Sequence, residues 1–376
     1  MKKQQVNYFE FLRVLAALAV IYMHVASSPL RGVVNKHWQA INIVTCLAFI
    51  AVPIFFMMSG YLLLNSEKTA DITVLLKKRL PHLVVPLIGW TVVAVLWRLI
   101  ITDGITLKGF YNGLVSSISS PAWIHFWYMY TLIALYIISP VLYGGLRSLD
   151  KKGHIFVFVI ICLLNVKTIL QVVLPEPLRQ FTYINVLDQL SLISGTVSTF
   201  ILGYYLGNLK KKIPNYILVI SIILLWGIIS YGTYKYTVLN GQFDQTFQNQ
   251  FSGFEIVLAA CVFLLFKQNL NFDCKFFRIV PIIPLSLSIY LMHNIFLSMM
   301  AYKFLTVTFW DTITHTLFNF VVCFFVMKTV ATIKPICYLA TGMSFKAACE
   351  SCNWIFTYNN IKKFVKNRII NKKDPS

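Results

Sequence analysis

Glu10, Arg13 and His24 all lie within the first apolar segment, YFEFLRVLAALAVIYMHVAS. An ionisable side chain in a bilayer interior is costly, so such residues are functional candidates by default. Arg13 and His24 are eleven residues apart. At about 100° per residue that is three helical turns plus about 20°, which places both on one stripe about 16 Å apart along the axis. Glu10 is one turn before Arg13 and joins that stripe as its expected partner. A carboxylate, a guanidinium and an imidazole on one face of a membrane helix are equipment for a reaction or conduction path. Snorkelling to the interface accounts for Glu10 and Arg13, which are near the start of the segment. It explains His24 less well, since another apolar residue would serve there.

Three further stretches carry chemistry-bearing side chains. In LLKKRLPHLVVPLIGW, Lys78 and Arg79 precede Pro81 and His82. Pro81 suits the first turn of a helix. Arg79 and His82 then fall at a helix N-terminus, where free N–H groups and the dipole favour an anion. Lys77 and Lys78 also read as a plain positive-inside anchor. In PAWIHFWYMYTLIALYIISP, His125, Trp127, Tyr128 and Tyr130 form either an aromatic belt or an aromatic platform for a sugar. In PLSLSIYLMHNIFL, Ser286, Ser288, Tyr290, His293 and Asn294 are a dense polar run for a membrane helix, and part of it must face the bundle interior or a cavity. Glu255 is a further acid placed at the end of a span.

The elements that position these residues are membrane helices. The 376 residues are 58% hydrophobic and only 12% charged, where soluble domains run at about 25% charged. Ten segments are long enough to cross: 8–28, 41–64, 83–102, 123–145, 154–174, 190–208, 214–232, 251–267, 280–302 and 313–333. The expected fold is all-α and polytopic, one membrane domain over 1–333 followed by a basic tail, 334–376. The first segment lacks a well-placed small-residue cleavage site and is expected to stay as the first span.

Lysine and arginine set the orientation. With the N-terminus inside, 23 of the 33 fall on the inner side, 6 in outer loops and the rest within spans. Both termini are therefore expected in the cytoplasm, and the cell membrane is the expected location. The net charge of +20 is topology signal and attraction to anionic inner-leaflet lipid, and calls for no nucleic acid. The stretch IKKFVKNRIINKKDPS reads as a basic strip on that surface. A basic inner face also attracts a soluble polyanionic donor. The eight cysteines fall in spans or on the inner side, where thiols stay reduced, and a lone Cys349–Cys352 CxxC is weak evidence for a metal. No metal and no permanently bound cofactor is expected.

At these residues the chain resembles the integral-membrane acyltransferase family 3, in particular its surface-polysaccharide O-acetyltransferase branch. That family's first span carries an acid, an arginine three residues later, then ten residues and a histidine. Here these are Glu10, Arg13 and His24, with Glu where Asp is usual. Before the third span the family has Arg-x-x-Arg followed by a proline, and here Arg79 matches the first while His82 replaces the second. HFWYMYTLIALYIISPVL and SLSIYLMH resemble its later motifs, and the match runs through residues 7–300 in order. The resemblance implies transfer of an acetyl or other short acyl group from acetyl-CoA, or another acyl-CoA, to a hydroxyl of a polysaccharide or lipid-linked glycan.

An alcohol attacks a thioester only if a base takes its proton and positive charge steadies the oxyanion. His24 is the expected base or transient acyl carrier, Arg13 the group that orients the thioester or a donor phosphate, and Glu10 the residue that holds Arg13. Arg79, His82 and Lys78 are expected to collect the donor. His125, Trp127, Tyr130 and Glu255 are expected to hold the acceptor, with Ser288, Tyr290 and His293 contributing further polar contacts. Either the donor's long arm enters the bundle or the acyl group is relayed. The rival classes are a polysaccharide exporter or proton-coupled carrier, and a non-catalytic partner in polysaccharide synthesis.

Overall fold

The structure, a computed structural model, describes residues 7–102, 104–183, 195–272, 274, 276–277, 280–303 and 307–362. The regular elements among them are helices. In chain order the main ones are α1 (Tyr8–Leu30), α2 (Lys36–Ala48), α3 (Ala51–Leu64), α4 (Pro81–Ile101), α5 (Leu107–Ser119), α6 (Trp127–Ser148) and α7 (Lys151–Val173). They continue with α8 (Thr196–Asn208), α9 (Asn215–Asn240), α10 (Gly253–Asn269), α11 (Ile282–Lys303), α12 (Phe309–Val330), α13 (Lys334–Thr341) and α14 (Phe345–Ser351). Among the described residues, eight helical stretches are long and apolar enough to cross a membrane. The protein is an all-α polytopic membrane protein.

Each of the ten expected spans contains a helix, with differences that have physical causes. The second begins at Lys36, capped by Asn35 Oδ1 accepting from Trp38 N at 2.9 Å. It breaks at Phe49–Ile50 because Pro53 has no N–H for the Phe49 carbonyl and its ring crowds that oxygen. α10 has only 17 residues. α8 has 13, and residues 184–194, in which its expected span begins, lie outside the described set. α5 was not anticipated. Thr106 caps it by accepting from Gly109 N at 3.0 Å, and it exposes Leu107, Tyr111 and Ile118 along one face, the pattern of a helix lying in a membrane interface.

The chain forms two compact units. The first is Met1–Lys77, Tyr130–Asp273 and Met300–Leu317. Its tightest seam is α3 against α8. A Cβ on Gly60 would sit 1.7 Å from the Phe200 carbonyl oxygen, and one on Gly203 would sit 2.0 Å from that of Met57. Gly60 and Gly203 let the two backbones meet and Gly207 makes room for the Tyr61 ring, the usual way membrane helices gain dispersion contact without a hydrophobic drive. Lys267 closes the end of α8 by donating to the carbonyls of Leu206 and Leu209 at 2.8 and 2.7 Å. α1 buries Leu12, Ala16, Val20 and Ile21. Tyr22 on α1 and Thr312 on α12 are 3.5 Å apart at their hydroxyls.

The second unit is Lys78–Met129, Cys274–Met299 and Phe318–Ser376. Here α13 lies along α4. Trp90 Nε1 donates to the Ala340 carbonyl at 2.9 Å, and a Cβ on Gly89 would meet the Leu339 carbonyl at 2.6 Å. Gly342 ends α13 with φ +71°, a conformation that favours glycine. Lys328 on α12 is buried with its ammonium 4.4 Å from the Trp354 ring centre.

Candidate active site

In the first unit, α1 is one uninterrupted helix and carries Glu10, Arg13 and His24, all half-buried. The stripe expected from their spacing therefore has the helix it requires. Tyr130 is half-buried on α6. Glu255 is wholly buried in the first turn of α10, and neither of its carboxyl oxygens has a hydrogen-bond partner among the described residues. Its backbone N–H is capped by Ser252 Oγ at 3.2 Å.

In the second unit, Lys78 is exposed and Arg79 is half-buried. Arg79 ends a short π-helical turn, Leu75–Arg79, that leads into α4. Such turns place side chains off the regular α register. Before it, in the first unit, Asp71 caps the short helix Ile72–Val74, its Oδ1 accepting from Thr73 N and Val74 N at 2.8 and 3.1 Å. His82, in the first turn of α4, is bonded through Nδ1 to the Gly342 carbonyl. A carbonyl only accepts, so Nδ1 carries the proton, and Nε2 is the lone-pair nitrogen of the neutral ring.

The same unit gathers the aromatic and polar runs. His125 and His293 are buried with ring centroids 4.5 Å apart. His125 also meets the edges of Phe126 and Tyr290 at 4.7 and 5.3 Å and stacks near Trp123 at 5.8 Å. Tyr290 donates its hydroxyl to the His125 carbonyl. His293 Nδ1 lies 2.6 Å from the Tyr290 carbonyl, so the neutral ring holds its lone pair on Nε2. Trp127 is half-buried, edge-on to Tyr128 at 6.4 Å. Ser288 is wholly buried, and its hydroxyl has no hydrogen-bond partner among the described residues.

Sequence reasoning brought His125, Tyr290 and His293 forward separately. The structure joins them. It also adds Asn319 of α12, wholly buried, whose Nδ2 donates to the His293 carbonyl at 3.0 Å and whose Oδ1 accepts from Cys323 at 3.2 Å. An amide in the middle of the apolar run HTLFNFVVC was the available signal. Two imidazoles in ring contact, one with a fixed tautomer, can take up, hold and pass a proton.

No curated protein and no solved structure matches the chain. The sequence model of the family described as an acyltransferase domain matches residues 6–333. That span takes in α1 with its Glu10, Arg13 and His24 and the other candidate side chains above, while Gly342, whose carbonyl holds His82, lies beyond it. The chain belongs to the membrane acyltransferase family 3.

Proposed function

We propose that the protein is a membrane O-acyltransferase that moves an acetyl or other short acyl group from acyl-CoA to a hydroxyl of a cell-surface or lipid-linked glycan. The family assignment across residues 6–333 carries this reading. In it, both termini are cytoplasmic, the protein resides in the cell membrane, and the donor approaches from the cytoplasm.

His24 takes the proton of the attacking hydroxyl. The new bond joins that oxygen to the acyl carbon, the thioester C–S bond breaks, and the electron pair leaves with the CoA sulfur, which ends as a thiol. Arg13 steadies the oxyanion or a donor phosphate, with Glu10 setting its angle. Arg79, His82 and Lys78 collect the donor's phosphates. His82 gives its Nδ1–H to Gly342, so only its Nε2 is left to face an anion, and it does so as a donor when the ring is protonated. For the acceptor, the second unit offers Trp127, Ser288, Tyr290 and the His125–His293 pair, which also passes protons during turnover, and the first unit offers Tyr130 and Glu255.

The test is glycan analysis of cells with and without the gene. An O-linked acyl group should vanish on deletion, return with the wild-type gene and stay absent with His24→Ala at equal protein level. Unchanged acylation on deletion would overturn the reading.

A further inference from the structure

Helices α2 and α9 of the first unit run side by side, with the Lys36 end of one near the Asn240 end of the other. Trp226 Nε1 donates to the Ile43 carbonyl at 2.6 Å, and Asn42 Nδ2 donates to the Ser230 carbonyl at 2.9 Å. Between them lies a groove of about 510 Å³. It opens outward, since Ile223, Tyr231 and Ile43 on its walls are 57%, 64% and 44% exposed.

The groove changes character along its length. Its mouth holds Gln39 and Tyr234, followed by Asn42, Ser230 and Tyr231. Deeper in the span come Ile43, Trp226 and Gly227, then Ile223. Tyr234 to Ile223 is about 16 Å along a helix axis. Amides and hydroxyls at the helix ends and apolar walls in mid-membrane match a molecule with a hydrogen-bonding head and a hydrocarbon chain. None of the lining residues is charged. A phosphate head would call for arginine or lysine. Amides beside tyrosine and tryptophan faces suit an uncharged, hydroxyl-rich ring instead.

We propose that this groove binds a neutral glycolipid, its sugar against Gln39, Tyr231 and Tyr234 and its chain along Trp226, Gly227 and Ile223. The proposal rests on the acyltransferase reading for its purpose, because it names the class of acceptor, but not for its test.

Gly227 offers a clean probe, since a Cβ there meets nothing within 4 Å. A large side chain fills the groove without disturbing the helix pair. Purified protein in phosphatidylcholine nanodiscs is titrated with monoglucosyl-diacylglycerol and, separately, with phosphatidylglycerol, and bound lipid is counted by native mass spectrometry. The wild type should retain the glucosyl lipid at least tenfold better. Gly227→Trp should abolish that preference with the melting temperature unchanged, and Tyr231→Ala should reduce it. Equal retention of the two lipids, or an undiminished preference in Gly227→Trp, overturns the proposal. If the preference holds while deletion of the gene leaves glycan acylation intact, the groove stands and the acyltransferase reading falls. If acylation depends on the gene and the preference is absent, the reverse is true.

Discussion

The rings of His125 and His293 meet at 4.5 Å, although 168 positions separate the two residues in the chain. Two further contacts fix the pair. Tyr290 ties its hydroxyl to the backbone of His125, and the carbonyl of Tyr290 orients the His293 ring. Replacing either histidine with phenylalanine keeps an aromatic plane and removes the proton chemistry. Each variant should lose about 100-fold or more of acyl transfer, the range of a lost proton-transfer group, with little change in melting temperature. Wild-type turnover in both variants would mark the pair as packing alone.

His24→Ala should lose acyl transfer to a similar degree while inserting normally, because Ala removes a polar group from a membrane helix. Arg13→Lys should also be severely impaired, since an ammonium cannot reproduce a planar, two-pronged donor. Activity normalised to protein level decides both. Full activity in Arg13→Lys would reduce Arg13 to a source of charge.

Much of this was legible in the sequence. Long apolar runs are read directly as helices because no backbone polar group can go unpaired in lipid. The break after Ala48 was written in Pro53 but masked by the unbroken apolarity around it. α5 was missed because its apolar residues fall on one face and never form a run. The α1 stripe was readable because Glu10, Arg13 and His24 share one helix and need only helical periodicity. The meeting of His125 with His293 was not, since it depends on how separate helices pack. Asn319 acts through the backbone of His293, which no spacing rule reveals.

The glycine seam makes a stability prediction. Gly203→Ala places a methyl group 2.0 Å from the Met57 carbonyl oxygen, so α3 and α8 must part. The expected loss is about 1–3 kcal/mol, seen as a lower thermal midpoint in detergent. Gly144→Ala is the control, since a Cβ there meets nothing within 4 Å. Equal midpoints for the two variants would show that the seam is not tight.

Asp244, in the loop after α9, sets an acid limit. Burial alone would raise its carboxyl, but hydrogen bonds from Thr246 and Asn240 win and hold it below the usual carboxylate range. A carboxyl held low stabilises the fold above its unfolded value, about pH 4, and that contribution is lost as pH falls through the folded value. The wild type should therefore lose thermal stability below about pH 4 more steeply than Asp244→Asn. Parallel pH profiles would refute the assignment.

The family match stops at residue 333, yet α13 just beyond it accepts the indole N–H of Trp90, and Trp354 covers the ammonium of Lys328. Inherited sequence and cooperative structure thus have different edges in this chain. Anyone grafting the acyltransferase core onto another protein, or trimming it for expression, must carry residues 334–354 along. Cutting at the family edge would strip Trp90 of its acceptor and uncover a cation in the last crossing helix.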